Sequence, residues 1–217
     1  MMPVPAYSIR SLVHSYDGKK ALDIPQCDIP SGSICALAGP NGCGKTTLLS
    51  ILALLLAPTS GTVLLHGAEI ARSRNKRIRR KVTLVHQKPI LFSTSVRKNI
   101  AYGLKASGFP SKEISSRVPA ILEEMQLSHA ADKDARTLSG GELQRAVLAR
   151  ALVLQTPIIL LDEPTNSLDE GSKPILTNLL RTANRERGAT IILATHDLNF
   201  VYSLTDWIIR LEEGKIL

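Results

Sequence analysis

Gly39-Pro40-Asn41-Gly42-Cys43-Gly44-Lys45-Thr46-Thr47 lies between two apolar runs, Ile34-Cys35-Ala36-Leu37-Ala38 and Leu48-Leu49-Ser50-Ile51-Leu52-Ala53-Leu54-Leu55-Leu56. Strand, glycine-rich loop and buried helix, in that order, is the setting that the pattern G-x-x-x-x-G-K-[ST] requires. The glycines let consecutive backbone N–H groups turn inward as a concave anion nest, and the helix N-terminus adds its partial positive charge. The stretch from Gly39 to Thr47 therefore predicts a nucleoside-triphosphate cradle. Lys45 would reach the β- and γ-phosphates, the Thr46 hydroxyl would ligate Mg²⁺, and Thr47 would add a second hydroxyl.

The length of 217 residues suits one large α/β domain, or one with a smaller subdomain inserted. Hydrophobic residues make up 44% and aromatics only 4%, so Leu, Ile, Val and Ala must build the core. The longest apolar run, 48–57, includes Ser50 and is too short to span a bilayer. No signal peptide is visible at Met1-Met2-Pro3-Val4-Pro5. Cys27, Cys35 and Cys43 show no metal-ligand spacing and read as reduced thiols of a cytosolic protein. Cys43, inside the phosphate loop, reads as a small residue that fits there, although a neighbouring lysine and helix N-terminus would favour its thiolate. The formal charge of +8 is partly local. Arg72, Arg74, Lys76, Arg77, Arg79, Arg80 and Lys81 form a basic run without interleaved aromatics, a solvated face rather than a base-stacking surface.

Along the chain, 7–13 and 21–29 read as extended segments, the second broken at Pro25 and Pro30, with a turn at Tyr16-Asp17-Gly18-Lys19. Segment 62–66 is another strand between Gly61 and Gly67, so a small antiparallel sheet should flank a parallel core. Val82-Thr83-Leu84-Val85 is a β-branched strand ending at His86-Gln87. From Lys88 the character changes. Segments 95–104, 111–127 and 130–136 carry helical spacing, and 142–155 follows as a helix stopped by Pro157. Ile158-Ile159-Leu160-Leu161 and 190–194 are apolar throughout, as for central parallel strands buried on both faces. Segments 175–187 and 199–204 read as helices, and 207–217 as a closing strand and turn. This alternation predicts a doubly wound α/β sheet with right-handed crossovers, 1–87 and 156–217 forming the core and 88–155 a helical insertion.

Asp162-Glu163 ends the first of those apolar strands, where phosphate-loop ATPases hold Mg²⁺. Adjacent carboxylates on an extended chain point in different directions, so Asp162 would orient metal-bound water and Glu163 would polarise the attacking water. Leu138-Ser139-Gly140-Gly141-Glu142, followed by Leu143-Gln144-Arg145, is a second glycine-rich loop opening a helix. One ATP does not need two such loops from one chain. The pattern makes sense if Ser139, Gly140 and Gly141 close on ATP held by a second copy, in a head-to-tail pair.

The chain resembles the ATP-binding-cassette (ABC) transporter ATPases over essentially its whole length. Gly39 to Thr47 is similar to the Walker A loop, 158–163 to the Walker B strand and 138–142 to the family signature. The resemblance implies a P-loop NTPase (RecA-like) core with a flanking antiparallel β subdomain and an inserted helical subdomain. It implies ATP and Mg²⁺ as ligands. It places Gln87 at the Q-loop, sensing Mg²⁺ and the γ-phosphate, and His196 at the switch histidine. Ser167-Leu168-Asp169 stands at the D-loop, where Asp169 would cross the dimer interface, and Tyr16 where an aromatic ring stacks on adenine. Two departures, His86 for an aromatic and Glu142 for the common glutamine, remove no group that the chemistry needs.

The family also implies partners. A separate integral membrane permease, a second copy of the chain and, indirectly, a periplasmic or surface substrate-binding protein are expected, at the cytoplasmic face of the inner membrane. Nucleic acid is not, since single-cassette chains without coiled-coil insertions are unlike translation factors and chromosome-maintenance ATPases. The segments 131–137 and 86–104 resemble oxyanion importers for tungstate, molybdate or phosphate, and a two-component exporter ATPase is the rival reading. With the sequence running to Leu217, a C-terminal regulatory region of the kind seen in some molybdate-type ATPases is not expected.

Overall fold

The five residues of Ile158–Asp162 are all buried because they form an interior strand of a sheet covered on both faces. The computed structural model describes residues 4–70, 76–87, 90–166, 168–205 and 207–217, with the backbone alone for Lys76. In chain order the strands are β1 (Pro5–Tyr16), β2 (Lys19–Pro30), β3 (Ile34–Ala38), β4 (Ser60–Leu65), β5 (Ala68–Glu69), β6 (Val82–Val85), β7 (Ile158–Asp162), β8 (Thr190–Ala194), β9 (Trp207–Glu212) and β10 (Lys215–Ile216). The helices are α1 (Lys45–Leu52), α2 (Lys76–Arg79), α3 (Val96–Ala106), α4 (Ser111–Glu124), α5 (Gly140–Leu152), α6 (Ser172–Arg187) and α7 (Leu198–Leu204).

Six strands form the main sheet in the order β10-β9-β3-β8-β7-β6, parallel except for the antiparallel β10. Side-chain alternation sorts β7 between two cores. Ile159 and Leu161 pack with residues of α3 to α7, whereas Ile158 and Leu160 pack with α1 and the second sheet. That second sheet is antiparallel, in the order β2-β1-β4-β5. Between β6 and β7 the named elements are α3, α4, α5 and two short 3₁₀ turns.

Three local expectations are corrected. Segment 130–136 is not a helix but the two 3₁₀ turns Ser128–Ala130 and Ala135–Thr137. Asp134 breaks the spacing, because its carboxylate accepts the Arg136 N–H at 2.9 Å and its backbone bridges to Ser95. The phosphate-loop helix stops at Leu52, and Leu54 takes φ +60°. Pro25 does not break β2, which is an edge strand; the pairing skips from Arg10–Gln26 to Leu12–Ile24, so the missing N–H costs no ladder bond.

Candidate active site

The loop between β3 and α1 can follow its path only with glycine at particular positions. A Cβ on Gly39 would lie 2.0 Å from the Leu211 carbonyl oxygen of β9. At Gly44, φ is +108° and a Cβ would meet Leu22 Cδ2 at 2.7 Å and the Ala21 carbonyl at 2.8 Å. The turn between β9 and β10 braces the loop from behind. Gly214 N–H donates to the Cys43 carbonyl at 3.0 Å, and Asp23 N–H to the Gly214 carbonyl at 2.8 Å. Lys45, only 7% exposed, curls back along this loop. Its Nζ donates to the carbonyls of Gly39 at 2.7 Å and Pro40 at 2.9 Å, so main-chain dipoles hold the buried cation.

The end of β7 meets the start of α1 side by side. Thr46 Oγ1 donates to Asp162 Oδ2 at 2.8 Å. Burial pushes the Asp162 carboxyl above the ordinary carboxylate range, and the Thr46 hydroxyl opposes that shift. Glu163, also buried, takes the left-handed φ of +49°. Its N–H donates to the Ala194 carbonyl at the end of β8, at 2.7 Å. On the side-chain side, His196 Nδ1 lies 3.0 Å from Glu163 Oε2. With Nδ1–H donating to the carboxylate, Nε2 is left for another partner.

These groups surround one cleft of about 410 Å³. Its walls include Tyr16, Asn41, Gly42, Gly44, Lys45, Thr46, Thr47, Gln87, Asp162 and Glu163, together with Ala21, which the sequence does not flag. Gly39, Pro40 and Cys43 are not part of those walls, and His196 reaches the cleft through Glu163. Tyr16 is half exposed at the rim, its ring edge-on to the buried His14 with centroids 4.6 Å apart. The Thr46 hydroxyl, the Asp162 carboxylate and the Gln87 amide offer hard oxygen donors, a set that fits Mg²⁺. Among the described residues no three His, Cys, Asp or Glu side chains gather as a closed metal cage.

The second glycine-rich loop stands apart from these walls. Ser139 is the N-cap of α5 in a reciprocal capping box: the Glu142 N–H donates to Ser139 Oγ at 3.3 Å, and the Ser139 N–H to Glu142 Oε2 at 2.9 Å. Neither Ser139, Gly140, Gly141 nor Asp169 lines the cleft. Asp169 instead accepts the Ser172 N–H at 2.7 Å and lies 3.7 Å from Arg145. Ser167 lies outside the described residues. Two residues just after the second loop tie α5 to the end of β7: Gln144 donates to the Pro164 carbonyl at 3.1 Å, and Arg145 to Ser172 Oγ at 2.6 Å. The linear pattern places these two after the loop but does not show their contacts, because their partners are 20 and 27 residues away.

All three cysteines are free thiols. Burial raises Cys27 to about 11 and Cys35 to about 12. Cys43 is buried in the core beneath the loop, as a small residue fitting its space. Of the basic run, Arg72 and Arg74 lie outside the described residues, and Arg79 donates to the Leu54 carbonyl at 3.1 Å.

Comparison with known proteins gives relatives along most of the chain. A family model described as ABC transporter matches residues 22–166. The tungstate uptake system ATP-binding protein TupC of Peptoclostridium acidaminophilum is 36% identical over 209 residues, covering 96% of this chain and 95% of that protein. The spermidine/putrescine import ATP-binding protein PotA of Marinobacter nauticus is 38% identical over 210 residues, 96% of this chain but 56% of its own length. Among solved structures, the ATP-binding cassette MJ0796, a dimer in a post-hydrolysis state bound to ADP and Pi, superposes with a TM-score of 0.89 at 29% identity, covering 97% of this chain and 96% of that one.

Proposed function

The chain belongs to the ABC transporter family as an ATP-binding subunit with ATPase activity, and from that premise we propose that it powers import of an oxyanion such as tungstate through a separate membrane permease. The observation that carries the ATPase reading is the convergence of Lys45, the Thr46–Asp162 pair and the Glu163–His196 pair on one cleft. Tyr16 at the rim supplies a ring face for adenine. Lys45 exchanges its loop carbonyls for phosphate oxygens. Thr46, Asp162 and Gln87 would hold Mg²⁺, which would supply neutralisation of the β- and γ-phosphate charge. Glu163 accepts a proton from the water that attacks in line, and His196 holds the Glu163 carboxylate in place and steadies the γ-phosphate through Nε2. Catalysis is then mostly positioning and fixed electrostatics.

Ser139, Gly140, Gly141 and Asp169 stand outside the cleft, which supports their service to the nucleotide of a second copy in a head-to-tail sandwich. The dimeric state of MJ0796 supports the same reading. For the permease, the support is a groove of about 480 Å³ that shares His86 with the Q-loop segment and runs between β6 and α5. Ile90, Phe92 and Tyr102 expose apolar surface there, the two rings 4.7 Å apart, and Arg150 fixes the Ile90 carbonyl at 2.8 Å. An apolar groove of this kind suits a short helix from a membrane partner. Segment 88–155 is then the helical subdomain that supplies one wall of the groove and carries the second loop. Among the described residues no helix is long and apolar enough to cross a membrane, in keeping with peripheral attachment at the cytoplasmic face. The similarity to TupC supports tungstate, and a periplasmic or surface binding protein would deliver it.

The test has two arms. Glu163→Gln should keep ATP binding, accumulate as an ATP-bound dimer and lose turnover; full ATPase activity in that variant overturns the mechanism. Uptake of labelled tungstate, phosphate and spermidine in cells lacking the chain identifies the cargo, and loss of spermidine uptake alone overturns the oxyanion reading.

A further inference from the structure

We propose that Gln144 is a positioning residue for Glu163, and that through it the catalytic end of β7 responds to the occupancy of the serine-glycine loop at the start of α5. The inference rests on Glu163 being the group that activates water.

Gln144 is 1% exposed. Its Nε2 donates to the Pro164 carbonyl at 3.1 Å, while Oε1 has no hydrogen-bond partner among the described residues. A buried amide whose carbonyl oxygen has no donor is destabilising, a penalty that Leu or Met would avoid in the same space. That expense falls beside the most constrained stretch of backbone in the site. Glu163 has φ +49°, a left-handed conformation that is strained for a residue with a Cβ. Its N–H is tied to Ala194 at 2.7 Å, and the next residue's carbonyl is tied to Gln144. Between the two anchors, the Glu163 carboxylate is held against His196 at 3.0 Å.

Arg145 grips the far end of the same connection. Its Nη1 donates to Ser172 Oγ at 2.6 Å and lies 3.7 Å from Asp169 Oδ2, while Asp169 accepts the Ser172 N–H at 2.7 Å. Two consecutive side chains of α5 thus hold both ends of segment 163–172, which joins β7 to α6. Ser139 and Gln144 are five positions apart, about 7.5 Å along a helix axis. Over that length a helix moves as a rod, so an anion drawn against Ser139 shifts Pro164 with it. Ser139 belongs to one nucleotide and Glu163 to the other, and the contact couples the two sites of a dimer.

Steady-state ATPase measurements on the full chain test this with Gln144→Met, Gln144→Leu and Gln144→Met combined with Glu163→Gln. The expected result for Gln144→Met is a kcat lower by roughly 10- to 100-fold, the scale on which small misplacements act. KM for ATP should stay within about twofold and the Hill coefficient should fall toward one, since ground-state binding does not use the contact. In the Glu163→Gln background, single-turnover hydrolysis should fall by less than about twofold more, because the two changes act through one group. Unchanged kcat overturns the proposal, as does an equal proportional loss with and without Glu163. Loss of a cooperative thermal transition in both single variants also overturns it, by making the contact one of packing alone. Full turnover in Glu163→Gln by itself would instead remove the base assigned to the site, an outcome separate from the fate of Gln144.

Discussion

The Thr46 hydroxyl donates a 2.8 Å hydrogen bond to Asp162, joining the first turn of α1 to the end of β7 across 116 positions of sequence. The bond joins two Mg²⁺-ligand candidates directly. It also opposes the desolvation that raises the Asp162 carboxyl. Folding therefore favours the protonated acid, and the ionised form costs stability at neutral pH. The sign is opposite to that of a salt-bridged aspartate: stability is gained as pH falls through the raised folded value toward the ordinary one.

Thr46→Ala should accordingly destabilise by about 1.5 kcal/mol at pH 7, the low end for a hydrogen bond to a charged group because the threonine is exposed. The loss should shrink as pH falls and Asp162 takes up its proton. Asp162→Asn should melt no lower than the parent chain at pH 7 while losing Mg²⁺-dependent ATPase activity. Thermal melts from pH 7 to pH 4, read beside ATPase rates, check both; a Thr46→Ala deficit that grows on acidification would contradict the assignment.

His196 is a different kind of residue. Its side chain is 66% exposed, so removing it leaves no cavity and little change in melting temperature. Its Nδ1 contact with Glu163 is nonetheless the one hydrogen bond recorded for that carboxylate among the described residues. His196→Ala should lower kcat by about 10²- to 10⁴-fold, the range for a positioned acid–base partner, with ATP affinity within about threefold of the parent. Titration with a fluorescent ATP analogue alongside turnover separates the two effects.

The loop glycines divide by what surrounds them. Gly39→Ala drives a methyl into the Leu211 carbonyl, and Gly44→Ala drives one into Ala21 and Leu22 while occupying φ +108°. Both should lose several kcal/mol and with it nucleotide binding, since backbone atoms cannot step aside. Gly42→Ala meets nothing within 4 Å and carries only the strain of φ +78°, about 1–2 kcal/mol. It should fold and bind ATP more weakly. Circular dichroism melts and ATP titrations on the three variants would rank them in that order, and a Gly39→Ala variant as stable as Gly42→Ala would refute the close approach to β9.

Much of this architecture is legible in the sequence because it is local. The phosphate loop, the apolar strand before Asp162 and the serine-glycine loop each announce themselves within nine residues, and a strand buried on both faces shows as unbroken apolar sequence. What escapes the sequence is set by tertiary placement. Proline at position 25 looks like a strand breaker until β2 proves to be an edge, where its missing N–H is harmless. Helical spacing over 130–136 loses to Asp134, whose backbone and side chain have other partners. The Gln144–Pro164 contact has no sequence signal, since a glutamine one turn into a helix is ordinary until a carbonyl 20 residues away lies beside it.

Glu142 gives the second loop a pH dependence of the usual acidic sign. Its carboxylate accepts from the Ser139 N–H at 2.9 Å and the Ser139 hydroxyl at 2.8 Å, and pairs with His129 at 2.9 Å. These donors, the backbone N–H foremost, hold its pKa down to about 2. A depressed acid contributes stability that is complete above its unfolded value, roughly 4.3, and is lost as pH falls toward the folded one. Glu142→Ala removes the carboxylate half of the capping box, leaves the backbone N–H at position 142 on Ser139 Oγ, and should cost about 1 kcal/mol at pH 7. Glu142→Gln keeps an acceptor for the Ser139 N–H and removes only the charge, so it should cost a few tenths of a kcal/mol. Its stability should then hold flat where the parent declines, between about pH 4.5 and pH 2. Urea unfolding of the three chains at pH 7, 4 and 3 measures this directly. If Glu142→Gln follows the parent's decline, the acid sensitivity arises elsewhere, at Asp134 or Asp197 for example, both held low by their own partners.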